Sequence, residues 1–362
     1  MSEGSAQRTP STSAAGRSTG RRVVFVVGSG RSGTSTMSGA LQTLGVHVPQ
    51  PEVVADQTNP KGFGEPQWVV DLHAELLQRS NVAVSDARPS AWFEAGKLAN
   101  SEPLRVRLHH WLEEQFVQAS AGEFPELVVK DPRLAWFLGL WRSAALRCEA
   151  SPAYITMLRP VTEVVGSKQR YYSTRFGEID RTAAWVNMML HTERATRGSA
   201  RAFVRYEDLL RDWTIPLFDI GQRFDLQAIK HASANHIRAV HDFIDPGLRR
   251  VQLTWADVDV PPRLRDIAEE SWQALNKLAD EGGDRADVHA TLDEMRAAYA
   301  SFYEEAEAIA SSSALAARRE GYADGAAGRR AAVGTERIPH GLRALVPAPA
   351  RRGIRKALGR ER

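Results

Sequence analysis

Two hydrophobic periods alternate along the chain. Val23-Val24-Phe25-Val26-Val27 is an unbroken β-branched and aromatic run, the pattern of a strand buried on both faces. Glu126 to Lys130, Ala153 to Leu158 and the segment opening at Ala202-Phe203-Val204 read as three further strands. Between them the spacing turns helical. Met37, Leu41 and Leu44 recur on one face, as do Val69, Leu72, Leu76 and Leu77 within a helix predicted over Gln67 to Gln78. Glu102 to Gln118, Pro160 to about Tyr172, Arg181 to Arg197, Leu217 to Phe224 and His231 to Asp242 also read as helices. Pro262 to Ala279 and Val288 to about Ala317 predict two more, joined at a Gly282-Gly283 turn. Gly45 to Asp56 reads as a loop, and Ser85 to Gly96, with Trp92 and Phe93, as irregular.

Between the first strand and first helix lies Gly28-Ser29-Gly30-Arg31-Ser32-Gly33-Thr34-Ser35. Thr34 or Ser35 is expected to cap the helix. A strand, a glycine-rich loop and a helix N-terminus aim backbone N–H groups and the positive helix end at one spot, which suits an anion. Gly28 and Gly33 have the spacing of a Walker A loop, but Thr34 stands where that motif has lysine. Gly28-x-Gly30-x-x-Gly33 also fits the dinucleotide fingerprint, and Arg31 is the loop's only cation.

Other candidates lie at strand exits and turns. Asn59-Pro60-Lys61-Gly62-Phe63-Gly64-Glu65-Pro66 forces a turn, so Glu65 stands just before a helix. A favourable acid at a helix N-terminus and a catalytic carboxylate explain it equally well. Lys130-Asp131-Pro132-Arg133 closes the second strand at its carboxyl end, where open α/β sheets bind ligands. Arg159-Pro160 ends the third strand, and Ser167 follows two helical turns later. Arg249 and Arg250 could reach an anion or simply face solvent.

Four ordered elements (the Arg31-Ser32-Gly33-Thr34-Ser35 loop, Lys130-Asp131-Pro132-Arg133, Arg159-Pro160 with Ser167, and Tyr206-Glu207-Asp208-Leu209) give the chain from Arg22 to Arg250 a resemblance to the sulfotransferases that use 3′-phosphoadenosine 5′-phosphosulfate (PAPS). The Asn59 to Glu65 turn is similar to one in their bacterial carbohydrate-type branch. The resemblance implies a P-loop-type parallel sheet with helices on both faces and a C-terminal helical extension. It implies that Gly28, Ser29, Gly30, Arg31, Ser32, Gly33, Thr34 and Ser35 hold the 5′-phosphosulfate. Arg159 and Ser167 would hold the 3′-phosphate, Arg31 or Lys130 would stabilise the leaving oxygen, and Glu65 would take the acceptor proton, with His47 as rival base. The acceptor would be a hydroxyl of a carbohydrate, glycoconjugate or small natural product, and no metal is needed. The Arg-Lys-Gly element of the cytosolic branch is missing. A P-loop phosphotransferase or scaffold using ATP is the alternative.

Bulk numbers alter this little. The 362 residues are 43% apolar and 25% charged, ordinary for a globular protein. They divide into a disordered lead (1–20), an α/β domain (21–255), a helical extension (256–330) and a basic tail (331–362). The lead lacks an apolar core of a signal peptide, and no run is long enough to span a membrane, so a cytoplasmic protein is expected. One cysteine, Cys148, forbids an intramolecular disulfide, and no His/Asp/Cys spacing marks a metal site. The net charge is +3, but Thr335 to Arg362 carries +6, which leaves the rest at −3. Nucleic-acid binding is therefore not expected. The tail would lie against an anionic membrane surface or stay disordered.

Overall fold

The computed structural model describes residues 20–171, 177–245, 247, 249 and 251–336, with side chains to residue 325. Its sheet is parallel and four-stranded, in the order β2-β1-β3-β4, with β1 at Arg22–Val27, β2 at Glu126–Lys130, β3 at Ser151–Leu158 and β4 at Ala200–Arg205. In register Phe25 pairs with Val129 on one side and Tyr154 on the other. All four strands therefore deliver their carboxyl ends to one rim.

The helices are α1 (Thr34–Thr43), α2 (Gln67–Ser80), α3 (Pro89–Gly96), α4 (Glu102–Ser120), α5 (Leu138–Arg147), α6 (Val161–Tyr171) and α7 (Glu178–Thr196). Beyond β4 come α8 (Tyr206–Arg211), α9 (Thr214–Arg223), α10 (Gln227–Lys230), α11 (Ala234–Phe243), α12 (Pro262–Lys277) and α13 (Ala286–Glu336). Two expectations need correction. The stretch read as irregular contains α3, because Pro89 pre-sets the first turn and Ala91 and Ala95 pack inward. The last helix continues to Glu336, since Ala-rich sequence carries it through four glycines and no proline interrupts it.

Strand side chains alternate between two cores. Phe25, Val129 and Tyr154 face a layer built with α2, α4 and α5, whereas Val24, Val26, Ile155 and Met157 face one built with α1, α9 and α11. Phe25 stacks on Tyr154 with ring centroids 5.5 Å apart. A third cluster joins α6 and α7 to α12 and the start of α13. The chain divides after Tyr303 into two compact units, the second beginning at Glu304. No helix among the described residues is long and apolar enough to cross a membrane. The expected disordered lead (before residue 20), Arg250 and the tail after Glu336 lie outside the described residues.

Candidate functional site

The loop after β1 holds its shape by close backbone approach. Gly28 has φ +133°, and a Cβ there would stand 2.9 Å from the Met157 carbonyl oxygen on β3. Arg31 is itself left-handed (φ 77°), a strained conformation for a residue with a side chain, costing about 1–3 kcal/mol. Gly33 is the N-cap of α1, with φ 92° and no side-chain cap. This corrects the expected capping by Thr34 or Ser35, whose hydroxyls sit inside the first turn. The first-turn amides are thus left without an intrahelical or side-chain partner, as an anion requires.

Gly33 also lies under the Tyr206 ring: a Cβ would come within 2.2 Å of it. Gly33→Ala is expected to cost about 2–4 kcal/mol, overpacking added to strain at positive φ. Gly62 has a similar φ of 86° but open space, so Gly62→Ala should cost only about 1 kcal/mol. Urea unfolding midpoints of the two variants would check the difference; equal shifts would mean the Tyr206 contact is not tight.

A cavity of about 670 Å³ opens over this loop. Gly30, Arg31, Gly33, Thr34 and Ser35 line it, while Gly28, Ser29 and Ser32 lie behind the surface. Glu65, Lys130, Arg159 and Ser167, each from a different segment, line it as well. Six Arg or Lys side chains face two carboxylates there, so a chain of small net charge focuses positive potential in one place.

Lys130 reaches the cavity because Asp131 anchors the exit of β2. Asp131 accepts from the Arg133 amide at 2.8 Å and from buried His73 Nδ1 at 2.9 Å, and Trp141 donates to His73 Nε2 at 2.8 Å. Lys130 is 2% exposed, and its Nζ donates to Glu65 Oε1 at 2.5 Å, Ser35 Oγ at 3.1 Å and the Phe63 carbonyl at 3.1 Å. The structure thereby joins the loop, the Glu65 turn and β2 through one ammonium.

Arg31 Nε donates to Ser167 Oγ at 3.1 Å, and the guanidinium lies 4.6 Å over the Tyr171 ring. Arg159 donates to Glu163 Oε2 at 2.9 Å and to the Arg31 and Val251 carbonyls, each at 3.1 Å. That uses three of its five N–H groups. Glu163 also binds Arg249 at 2.7 Å, so Arg249 joins the site through an acid. His47 is elsewhere. It bridges Leu127 near the amino end of β2, about 10 Å along the strand from Lys130, and burial lowers its pKa.

Three side chains were missed. Tyr206 covers Gly33, and its ring centroid lies 5.3 Å from the Arg159 guanidinium; it opens the Tyr206-Glu207-Asp208-Leu209 run, which carries the resemblance but has no site role in it. Ser85 and Lys168 face each other across the cavity wall at 3.2 Å. The one sequence signal for Lys168 is its place directly after Ser167. The fold also gathers His109, Glu113 and Cys148 within 4.8 Å of one another, a metal-like set that spacing did not show. Glu113 there is held by Arg21 at 2.8 Å, and burial first, with Glu113 beside it, pushes the Cys148 thiol up to about 12. None of the three lines the cavity.

Neither a protein-family model nor a curated protein matches the chain. Solved structures do. The sulfotransferase domain of the Synechococcus PCC 7002 olefin synthase is 18% identical with a TM-score of 0.41, covering 72% of this chain and 95% of its own. The sulfotransferase STF1 of Mycobacterium tuberculosis H37Rv is 16% identical with a TM-score of 0.37, over 69% and 76%. The sulfotransferase domain of the curacin biosynthetic pathway is 16% identical with a TM-score of 0.38, over 69% and 96%. At these identities and TM-scores the likeness carries no residue's role across.

Proposed function

We propose that the chain transfers a sulfuryl group from PAPS to a hydroxyl of a glycoconjugate, carbohydrate or small natural product. The observation that carries this reading is the convergence of five separated segments on one cationic cavity: the open helix N-terminus with Arg31, the Glu65–Lys130 pair, and Arg159 with Ser167. A nucleotide donor that carries more than one anionic group suits that set of cations. The sheet order supports its direction, since Arg159 ends β3, the loop follows β1 and Lys130 ends β2. The 3′-phosphate would lie at Arg159 and Ser167, the 5′-phosphosulfate on the loop amides and Arg31, and the acceptor beyond, at Glu65.

In the reaction the bond from sulfur to the donor's bridging oxygen breaks and a bond from sulfur to the acceptor oxygen forms. The acceptor proton passes to Glu65, and 3′,5′-bisphosphoadenosine leaves with its charge met by Arg31 and Lys130. The protein's work is positioning and charge stabilisation, as in phosphoryl transfer. Val53, Phe63, Val70, Val84 and Met188 wall the cavity. They favour an acceptor whose hydroxyl sits on a partly apolar body over an unmodified sugar.

The donor assignment is tested by calorimetry. The protein should bind 3′,5′-bisphosphoadenosine more tightly than 5′-AMP, and Arg159→Ala should remove most of that preference. A charge-assisted bond to phosphate contributes about 1.5–3 kcal/mol, roughly 10- to 100-fold in affinity. Equal affinity for the two nucleotides, or preference for ATP, would instead support a phosphotransferase.

A further inference from the structure

Lys168 has no part in the roles above, yet it lines the same cavity and is only 6% exposed. From α6 its Nζ donates to Ser29 Oγ on the glycine loop at 3.1 Å and to Ser85 Oγ, ahead of α3, at 3.2 Å. The contrast with Lys130 is informative. Every hydrogen of the Lys130 ammonium has an acceptor, one of them a carboxylate. Lys168 meets two neutral hydroxyls, and among the described residues no carboxylate pairs with it. Burying an ammonium without an anion is costly, and one N–H of the three remains.

The charges around it do not fill that need. Arg31 lies on the same loop as Ser29, and Arg181 on α7 adds a like charge. Asp86, next to Ser85, is held by Arg88 at 2.7 Å. On its own helix Glu163 is taken by Arg159 and Arg249. Asp180 lines the cavity but forms no ion pair with Lys168.

We infer that Lys168 is a third cation of the anion cradle, whose ammonium contacts an oxygen of the donor's phosphosulfate directly while tying the glycine loop to the Ser85 segment. This rests on the sulfuryl-transfer reading. Burial, with the Arg181 charge adding to it, lowers the Lys168 pKa to about 8. An oxyanion at Nζ favours the charged form and raises it again. The sign follows: above about pH 8 the free protein holds neutral Lys168 and must take up a proton on binding, whereas below about pH 7 it is already charged.

Calorimetry in two buffers of different ionisation enthalpy reads that proton. The probes are 3′,5′-bisphosphoadenosine and ADP, the latter offering a diphosphate without a 3′-phosphate. Phosphate groups with a second pKa near 6 are ionised at about pH 9, and at about pH 6.5 they can only release protons on meeting cations, so they do not mimic uptake. Uptake approaching one proton is expected at about pH 9 and none at about pH 6.5, with affinity falling roughly 10- to 30-fold between about pH 7 and 9.5. Lys168→Gln should abolish the uptake, and Lys168→Arg should bind with a flat profile because a guanidinium stays charged. Binding of either probe without uptake, or uptake that persists in Lys168→Gln, overturns the inference, as does failure of both probes to bind. A lysine that merely links Ser29 to Ser85 would weaken binding on removal without moving a proton. If Lys168→Gln does not fold, the wild-type measurement decides by itself. Absence of any preference for 3′,5′-bisphosphoadenosine over ADP, with uptake present in both, would instead count against the donor assignment alone.

Discussion

Replacing Glu65 with glutamine is expected to lower sulfuryl transfer roughly 10²–10⁴-fold while leaving affinity for 3′,5′-bisphosphoadenosine nearly intact. An alcohol attacks poorly unless its proton leaves in the transition state, so a positioned acceptor for that proton is needed. Glu65 is 8% exposed, on the turn before α2, with Oε1 held by Lys130 at 2.5 Å. Oε2 has no hydrogen-bond partner among the described residues. A glutamine keeps the shape and one acceptor for Lys130 but cannot take the proton. His47, near the opposite end of β2, is too far to replace it. Wild-type turnover in Glu65→Gln, with loss of turnover in His47→Ala, would remove Glu65 from the role.

Lys130→Met should have a double effect. Turnover should fall about 10²–10³-fold, the loss expected when one donor to developing negative charge is removed. Stability should fall by about 3–5 kcal/mol, because Glu65 is left buried without its counter-charge. The combined variant Lys130→Met with Glu65→Leu removes both charges and should recover most of that stability while remaining inactive. Urea unfolding of the two singles and the double gives the coupling energy. Additive losses would show that the pair is too well solvated to behave as buried, contrary to exposures of 2% and 10%.

The donor preference measured with Arg159→Ala and the turnover loss in Glu65→Gln test the donor and the base separately. A protein that binds 3′,5′-bisphosphoadenosine through Arg159 but transfers sulfate without Glu65 would keep its donor and lose only its assigned base. The converse result would leave a base with no sulfuryl donor to serve.

Much of this was readable from residue order. The run Val23 to Val27 is apolar at every position because both sheet faces are covered, so its burial follows from composition without any knowledge of partners. The glycines of the loop mark close backbone approach, because a Cβ at Gly28 would stand 2.9 Å from a neighbouring carbonyl and one at Gly33 would strike a tyrosine ring. Lys130 and Arg159 fall at strand ends, and parallel strands send those ends to a common rim, so their proximity was implied once the sheet was.

Tertiary structure decided what local pattern does not encode. That Lys130 meets Glu65, 65 positions away, depends on where the Asn59 to Glu65 turn folds back. The Arg159–Glu163 pair is local, four residues apart, but that Arg249 joins it on the same acid depends on α6 packing against a distant loop. The trio His109, Glu113 and Cys148 assembles only because α4 lies beside the end of α5. Lys168 is the clearest case. A lysine at the end of a helical run predicts a solvated side chain, and only the packing of the Ser29 loop and Ser85 over α6 buries it and brings its pKa down to about 8. Sequence periodicity sets which face of an element is apolar. Which polar groups then share the remaining low-dielectric space is set by long-range packing alone.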